Sequence, residues 1–93
     1  MAGYPCEMDK ITKFCKKKNI FLIEDCAHGL GTMYKKKHVG NFGVAGIFSF
    51  YPTKQITTGE GGVIITNNKA LINKVKIIKS IGLGSFLNKN LRI

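Results

Sequence analysis

A chain of 93 residues makes one small domain or a piece of one, and 44% hydrophobic with 22% charged residues is a globular composition. No segment approaches the roughly 20 consecutive apolar residues of a membrane-spanning helix, and residues 1–5 lack the basic and apolar regions of a signal peptide, so a cytoplasmic location is expected. The net charge of +10 is almost wholly lysine, with Arg92 the sole arginine; this suits solvated faces better than a specific nucleic-acid reader, which relies on arginine's planar fork.

The elements follow in chain order. Residues 7–18 predict an amphipathic helix: Met8, Ile11 and Cys15, with Phe14 beside them, form an apolar stripe. Glu7 and Asp9 suit its positive start, Lys16, Lys17 and Lys18 suit its negative end, and Asn19 is a candidate C-terminal cap. Residues 20–24 read as a strand buried on both faces, ending on the acidic pair Glu24-Asp25. Residues 32–40 (TMYKKKHVG) read as an exposed lysine hairpin, 41–43 as a turn, and 45–50 as a second strand. A loop rich in Thr and Gly covers 51–62, and residues 63–66 form a third strand. Asn67-Asn68 caps a second helix running to about Ser80, with Leu71, Val75 and Ile78 inward and Gly82 as its stop. The tail 83–93 is weakly specified.

Cys6, Cys15 and Cys26 are odd in number and form no C-x-x-C pair, which suits reduced, buried thiols. Cys26, His28 and His38 lack the paired spacing of a zinc site, so no metal is expected.

Chemistry-bearing residues concentrate in two places. Asp25 stands at the end of a strand, where ligands of open α/β sheets bind, followed by Cys26-Ala27-His28. The stretch FSFYPTKQITTGEGG, residues 48–62, places Ser49 and Lys54 around a strand-to-loop transition. Taken singly, Asp25 reads as a turn residue, Lys54 as a surface lysine, Ser49 as a core hydroxyl and residues 59–62 as a tight turn.

Together they resemble the sugar aminotransferases of fold type I, the DegT/StrS family. FSFYPTKQITTGEGG is similar to that family's lysine loop, IEDCAHGLGTMYKKKHVGNFG to its aspartate strand and hairpin, and AGYPCEMDKI to the segment ahead of its helix. The resemblance spans residues 2–82, in the family's order. It implies an α/β fold: part of the large domain of a pyridoxal-phosphate (PLP) transferase, a mixed sheet with flanking helices. On that resemblance residues 1–93 are a single fragment of the PLP-binding domain. Lys54 is then the lysine that binds the cofactor covalently, Asp25 pairs with its pyridine nitrogen, Ser49 with its phosphate, and His28 stands near the ring where many members have Gln.

The implied reaction moves an amino group, typically from glutamate, onto a nucleotide-linked keto sugar, and ITTGEGG looks especially like the loop of perosamine-synthase-type enzymes. A homodimer is expected for the full-length enzyme. Two alternatives stand beside this: an inactive fragment or basic binding module without catalysis, and the family's sugar dehydratase branch, in which histidine replaces the lysine. Lys54 argues against the second. The assigned roles are physically coherent. A fixed carboxylate favours a protonated pyridine nitrogen, and a lysine nucleophile must be unprotonated.

Overall fold

The computed structural model describes residues 3–80. Helix α1, Met8–Lys18, starts one residue later than the expected 7–18, because Glu7 serves as its N-cap residue and forms an ion pair with Lys10 instead of a side-chain cap. Asn19 ends it in the left-handed conformation, φ 54°, its N–H turned back to the Cys15 and Lys16 carbonyls. The chain then reaches strand β1, Ile23–Asp25.

This strand corrects the expectation of an apolar run buried on both faces over 20–24. The ladder begins only at Ile23 and includes Asp25. Phe21 is 86% and Ile23 59% exposed, whereas Glu24 is 6% exposed. Side chains alternate along a strand, and the Ile23–Asp25 face carries no covering layer among the described residues.

The hairpin follows as β2, Met33–Tyr34, and β3, Lys37–His38, paired antiparallel. Its two-residue turn places Lys35 and Lys36 at φ 46° and 64°, conformations normally taken by Asn and Gly. Asp9 offsets this cost, accepting hydrogen bonds from the Tyr34 hydroxyl and, at 2.6 Å, from Lys35 Nζ, which ties the hairpin to α1. Tyr34 and Phe42 meet edge to face, 5.9 Å between ring centroids, with Lys37 over Phe42.

Strand β4, Ala45–Ser49, lies centrally, parallel to β1 and antiparallel to β5, Gly62–Ile65. The order β1-β4-β5 is therefore the mixed sheet expected of the fold class. Cys26, Val39 and Phe48, with Ile65 packed against them, form the core on one face of this sheet. Gly46 and Gly43 are required there: a Cβ on either would overlap the backbone of Gly40 or Leu22.

Helix α2, Lys69–Lys79, is capped as expected, the Asn68 side chain accepting from Leu71 N at 3.1 Å. Leu71 and Val75 are half-buried, but Ile78 is 73% exposed, and Ile72 and Ile77 are partly covered instead. The inner stripe therefore passes through Ile77 and not the expected Ile78 at its end. Gly82 and the tail lie outside the described residues. Among those described, no helix is long and apolar enough to cross a membrane. Of the three thiols only Cys26 is buried; Cys6 is exposed and Cys15 intermediate, which corrects the expectation of three buried cysteines.

Candidate functional site

The neighbouring acids of β1 diverge. Glu24 points to the core face, where Oε2 accepts from Gly40 N at 2.6 Å and Oε1 from Phe42 N and Gly43 N at 2.6 and 2.7 Å. Those three amides hold the chain returning from the hairpin against β1. Sequence reasoning missed this role. The readable signal was an acid one residue inside the strand end, followed by a Gly-x-x-Gly return with amides free to donate.

Asp25 points the other way. It is exposed, and among the described residues its Oδ1 accepts from Ala27 N alone, at 3.0 Å, which turns the chain toward His28. The register places Asp25 beside Ile47 of β4, so Ser49, two residues on, lies on the same face of the sheet. Both stand at the carboxyl ends of their parallel strands, where an open α/β sheet offers a ligand site.

The loop after β4 closes on itself. Phe50 N donates to Gly61 O at 2.9 Å, and Phe50 O accepts from Thr58 N and Thr57 Oγ1. Inside it Lys54 N donates to Tyr51 O, and the Lys54 side chain, half-buried, reaches across to His28: Nζ lies 2.8 Å from His28 Nε2. Gln55 Nε2 donates to His28 O at 2.7 Å. Gly3, at φ 77°, passes directly over that carbonyl, with no room for a Cβ, and its own carbonyl accepts from Thr32 Oγ1.

Asp25, His28 and Lys54 therefore line one cavity of about 640 Å³, together with Tyr4, Cys26 and Gly29. Ser49 does not line it; the hydroxyl is half-buried and accepts from Tyr51 N at 3.3 Å, which leaves its hydrogen for an outside acceptor. Burial, then the charges of Glu24 and Asp25, push the Cys26 thiol up to about 11, so it stays protonated at neutral pH and is no rival nucleophile.

This donor set suits PLP. A carboxylate on a rigid strand end, an amine in reach of the same cavity and a hydroxyl on the adjoining strand correspond to a protonated ring nitrogen, an aldehyde and a phosphate. Asp25, Lys54 and Ser49 would hold those three groups, and His28 would border the ring.

Comparison with known proteins places the chain in a family. A model of the DegT/DnrJ/EryC1/StrS aminotransferase family matches residues 1–92. GDP-perosamine synthase of Escherichia coli O157:H7 is 48% identical over 83 residues, 89% of this chain and 23% of that protein. Among solved structures, Helicobacter pylori PseC, an aminotransferase involved in the biosynthesis of pseudoaminic acid, superposes with a TM-score of 0.83 at 42% identity, over 85% of this chain and 21% of its own. The GDP-4-keto-6-deoxy-D-mannose-3-dehydratase of E. coli, with bound hydrated PLP, gives 0.78 at 32% identity, over 84% of this chain and 20% of its own. The chain thus spans about a fifth of the length of each. With a family model matching nearly its whole length and solved members superposing on its fold, the chain belongs to the DegT/DnrJ/EryC1/StrS aminotransferase family.

Proposed function

We propose that residues 2–82 form the cofactor-binding part of a PLP-dependent aminotransferase, which moves an amino group, typically from glutamate, onto a keto carbon of a nucleotide-linked sugar. The observation that carries it is the convergence of Asp25, His28 and Lys54, from two separate segments, on one cavity at the carboxyl edge of the sheet. Bound PLP supplies the electron sink that stabilises charge on the substrate carbon. The chain's residues do the rest. Asp25 would hold a negative charge against the ring nitrogen, Ser49 would donate to the phosphate, and the Lys54 amine would carry a proton at the substrate carbon.

The relatives named for GDP-perosamine synthesis and pseudoaminic acid biosynthesis support a nucleotide sugar as acceptor. Lys54 favours amino transfer over the dehydratase reading, because that branch carries histidine in its place. In this proposal the complete enzyme is a homodimer, and this chain alone does not turn over, since the cleft that closes over substrate belongs to the longer protein. Positioning is worth about 7–11 kcal/mol in such steps.

The test uses the longer protein containing this sequence, with glutamate, a keto-sugar nucleotide and PLP. Lys54→Ala is expected to abolish amino transfer and to remove the visible absorbance of protein-bound PLP. Retained turnover in that variant would reject the assignment.

A further inference from the structure

One backbone carbonyl joins three separate segments of the chain. The His28 oxygen accepts from Gln55 Nε2 at 2.7 Å, and Gly3 lies over it so closely that a Cβ there would overlap it. Thr32 Oγ1 donates to Gly3 O at 2.9 Å, which holds that segment over the turn. Among the described residues no backbone amide donates to the His28 oxygen; the turn spends Gly29 N on Cys26 O and Thr32 N on Gly29 O instead. The Gln55 amide is thus the group that satisfies this carbonyl. The direction of the bond follows from its atoms, because a carbonyl oxygen only accepts.

Gln55 stands next to Lys54 in a loop whose other bonds close it on itself or on its own strand end. Among the described residues two side-chain ties leave residues 51–61 for a distant segment, the Gln55 amide and the contact of Lys54 Nζ with the His28 ring. A cofactor lysine must give up its resting contact when its amine bonds to the aldehyde, so that contact cannot hold the loop through a reaction cycle. Gln55 has no such task. Its bond joins the backbone one residue from Lys54 to the turn that follows Asp25, a turn itself set by Ala27 N on Asp25 Oδ1. Asp25 and Lys54, which line one cavity from two segments, are therefore brought into register by a bond that neither of them makes.

We propose that Gln55 is a positioning residue: its amide on the His28 carbonyl sets Lys54 relative to Asp25, with Gly3 behind the carbonyl as a backstop. This rests on Lys54 being the cofactor lysine. Loss of the bond then acts on rate, because an amine displaced from its line of approach reacts slowly even where cofactor is bound.

The test uses the longer protein loaded with PLP. The rate at which glutamate discharges the visible absorbance of protein-bound PLP is measured per PLP bound. Gln55→Ala is expected to lower that rate about fivefold, the worth of one neutral hydrogen bond, and Gln55→Glu, of equal length but with an acceptor facing an acceptor, to lower it further. Gly3→Ala pushes on the same oxygen from the other side, so the Gly3→Ala/Gln55→Ala double variant is expected to lose less than the product of the two single losses. A merely structural role would reduce the PLP bound and leave the rate per bound PLP unmoved. Gln55 is exposed, so its two variants decide the matter whether or not Gly3→Ala folds. Rates within about twofold of the unaltered enzyme in both would overturn the proposal.

A cofactor-free arm reads the tie itself. Hydrogen exchange at the backbone amides of residues 51–58 is expected to quicken about fivefold in Gln55→Ala while that of β4 stays as it was. Unchanged exchange would overturn the proposal. Loss of discharge in Lys54→Ala beside full rates in the Gln55 variants would reject the role of Gln55 and leave the cofactor reading standing. A Lys54→Ala enzyme that keeps both absorbance and discharge would reject the cofactor reading, and the exchange result alone would then decide whether Gln55 sets the place of residue 54.

Discussion

Glu24 and Asp25 are adjacent, carry the same charge and belong to one three-residue strand, yet they do opposite work. Glu24 is buried and engages both oxygens with three backbone amides; Asp25 is exposed and, among the described residues, holds a single local bond at the rim of the cavity. The alternation of a strand sends one acid to the core face and the other to the rim of the cavity. A buried carboxylate that accepts several amides is costly to disturb, whereas a solvated one on a rigid mount is free to meet a ligand.

The largest effect expected from breaking this contrast is at Glu24. Glu24→Gln puts an NH₂ group among donors and should cost about 3 kcal/mol, read by denaturant unfolding, with Gly46→Ala costing about 1–3 kcal/mol on the same face by overpacking against Gly40. Asp25→Asn should change stability by no more than about 0.5 kcal/mol. In the longer enzyme the same change should slow turnover about 10–100-fold while cofactor affinity falls far less, the loss expected of one charged hydrogen bond. Comparable stability losses at both acids would erase the distinction between the faces.

A smaller, pH-dependent effect is expected at Cys26, on the Glu24 side of β1. Its raised pKa means that the folded chain holds the thiol proton more tightly than the unfolded chain. The associated stability is present below the ordinary thiol range and is lost as pH rises through it toward about 11. Thiol labelling at mildly alkaline pH should therefore reach exposed Cys6 quickly and Cys26 only on unfolding. The smallest effect is at the hairpin: Lys36→Gly relieves one left-handed lysine, keeps the Lys35–Asp9 pair and should add about 1 kcal/mol without altering the reactivity of Lys54.

Much of the fold was legible because it is local. The stripe of α1, the caps Asn19 and Asn68 and the lysine hairpin all follow from short-range rules. The errors arose where a residue's surroundings come from elsewhere in the chain or beyond it. Phe21, Ile23 and Ile78 have the composition of buried positions but no covering layer among the described residues. The site divides the same way. Asp25 and Lys54 could be named from motifs, but nothing in the spacing shows Lys54 Nζ meeting His28 or Gln55 gripping its carbonyl, because those contacts span 26 and 27 residues. Glu24 was passed over because an acid inside a strand gains a purpose only once the amides of residues 40–43 fold back onto it.

The most direct test of the central claim is where PLP attaches. The 93-residue chain is mixed with substoichiometric PLP, reduced with borohydride and digested, and the labelled peptide is sequenced by mass spectrometry. Of the fourteen lysines, Lys54 is expected to carry most of the label, and Lys54→Ala to leave only scattered surface labelling. Label spread evenly over the hairpin and helix lysines of the unaltered chain, with Lys54 no richer than Lys36 or Lys74, would contradict the account.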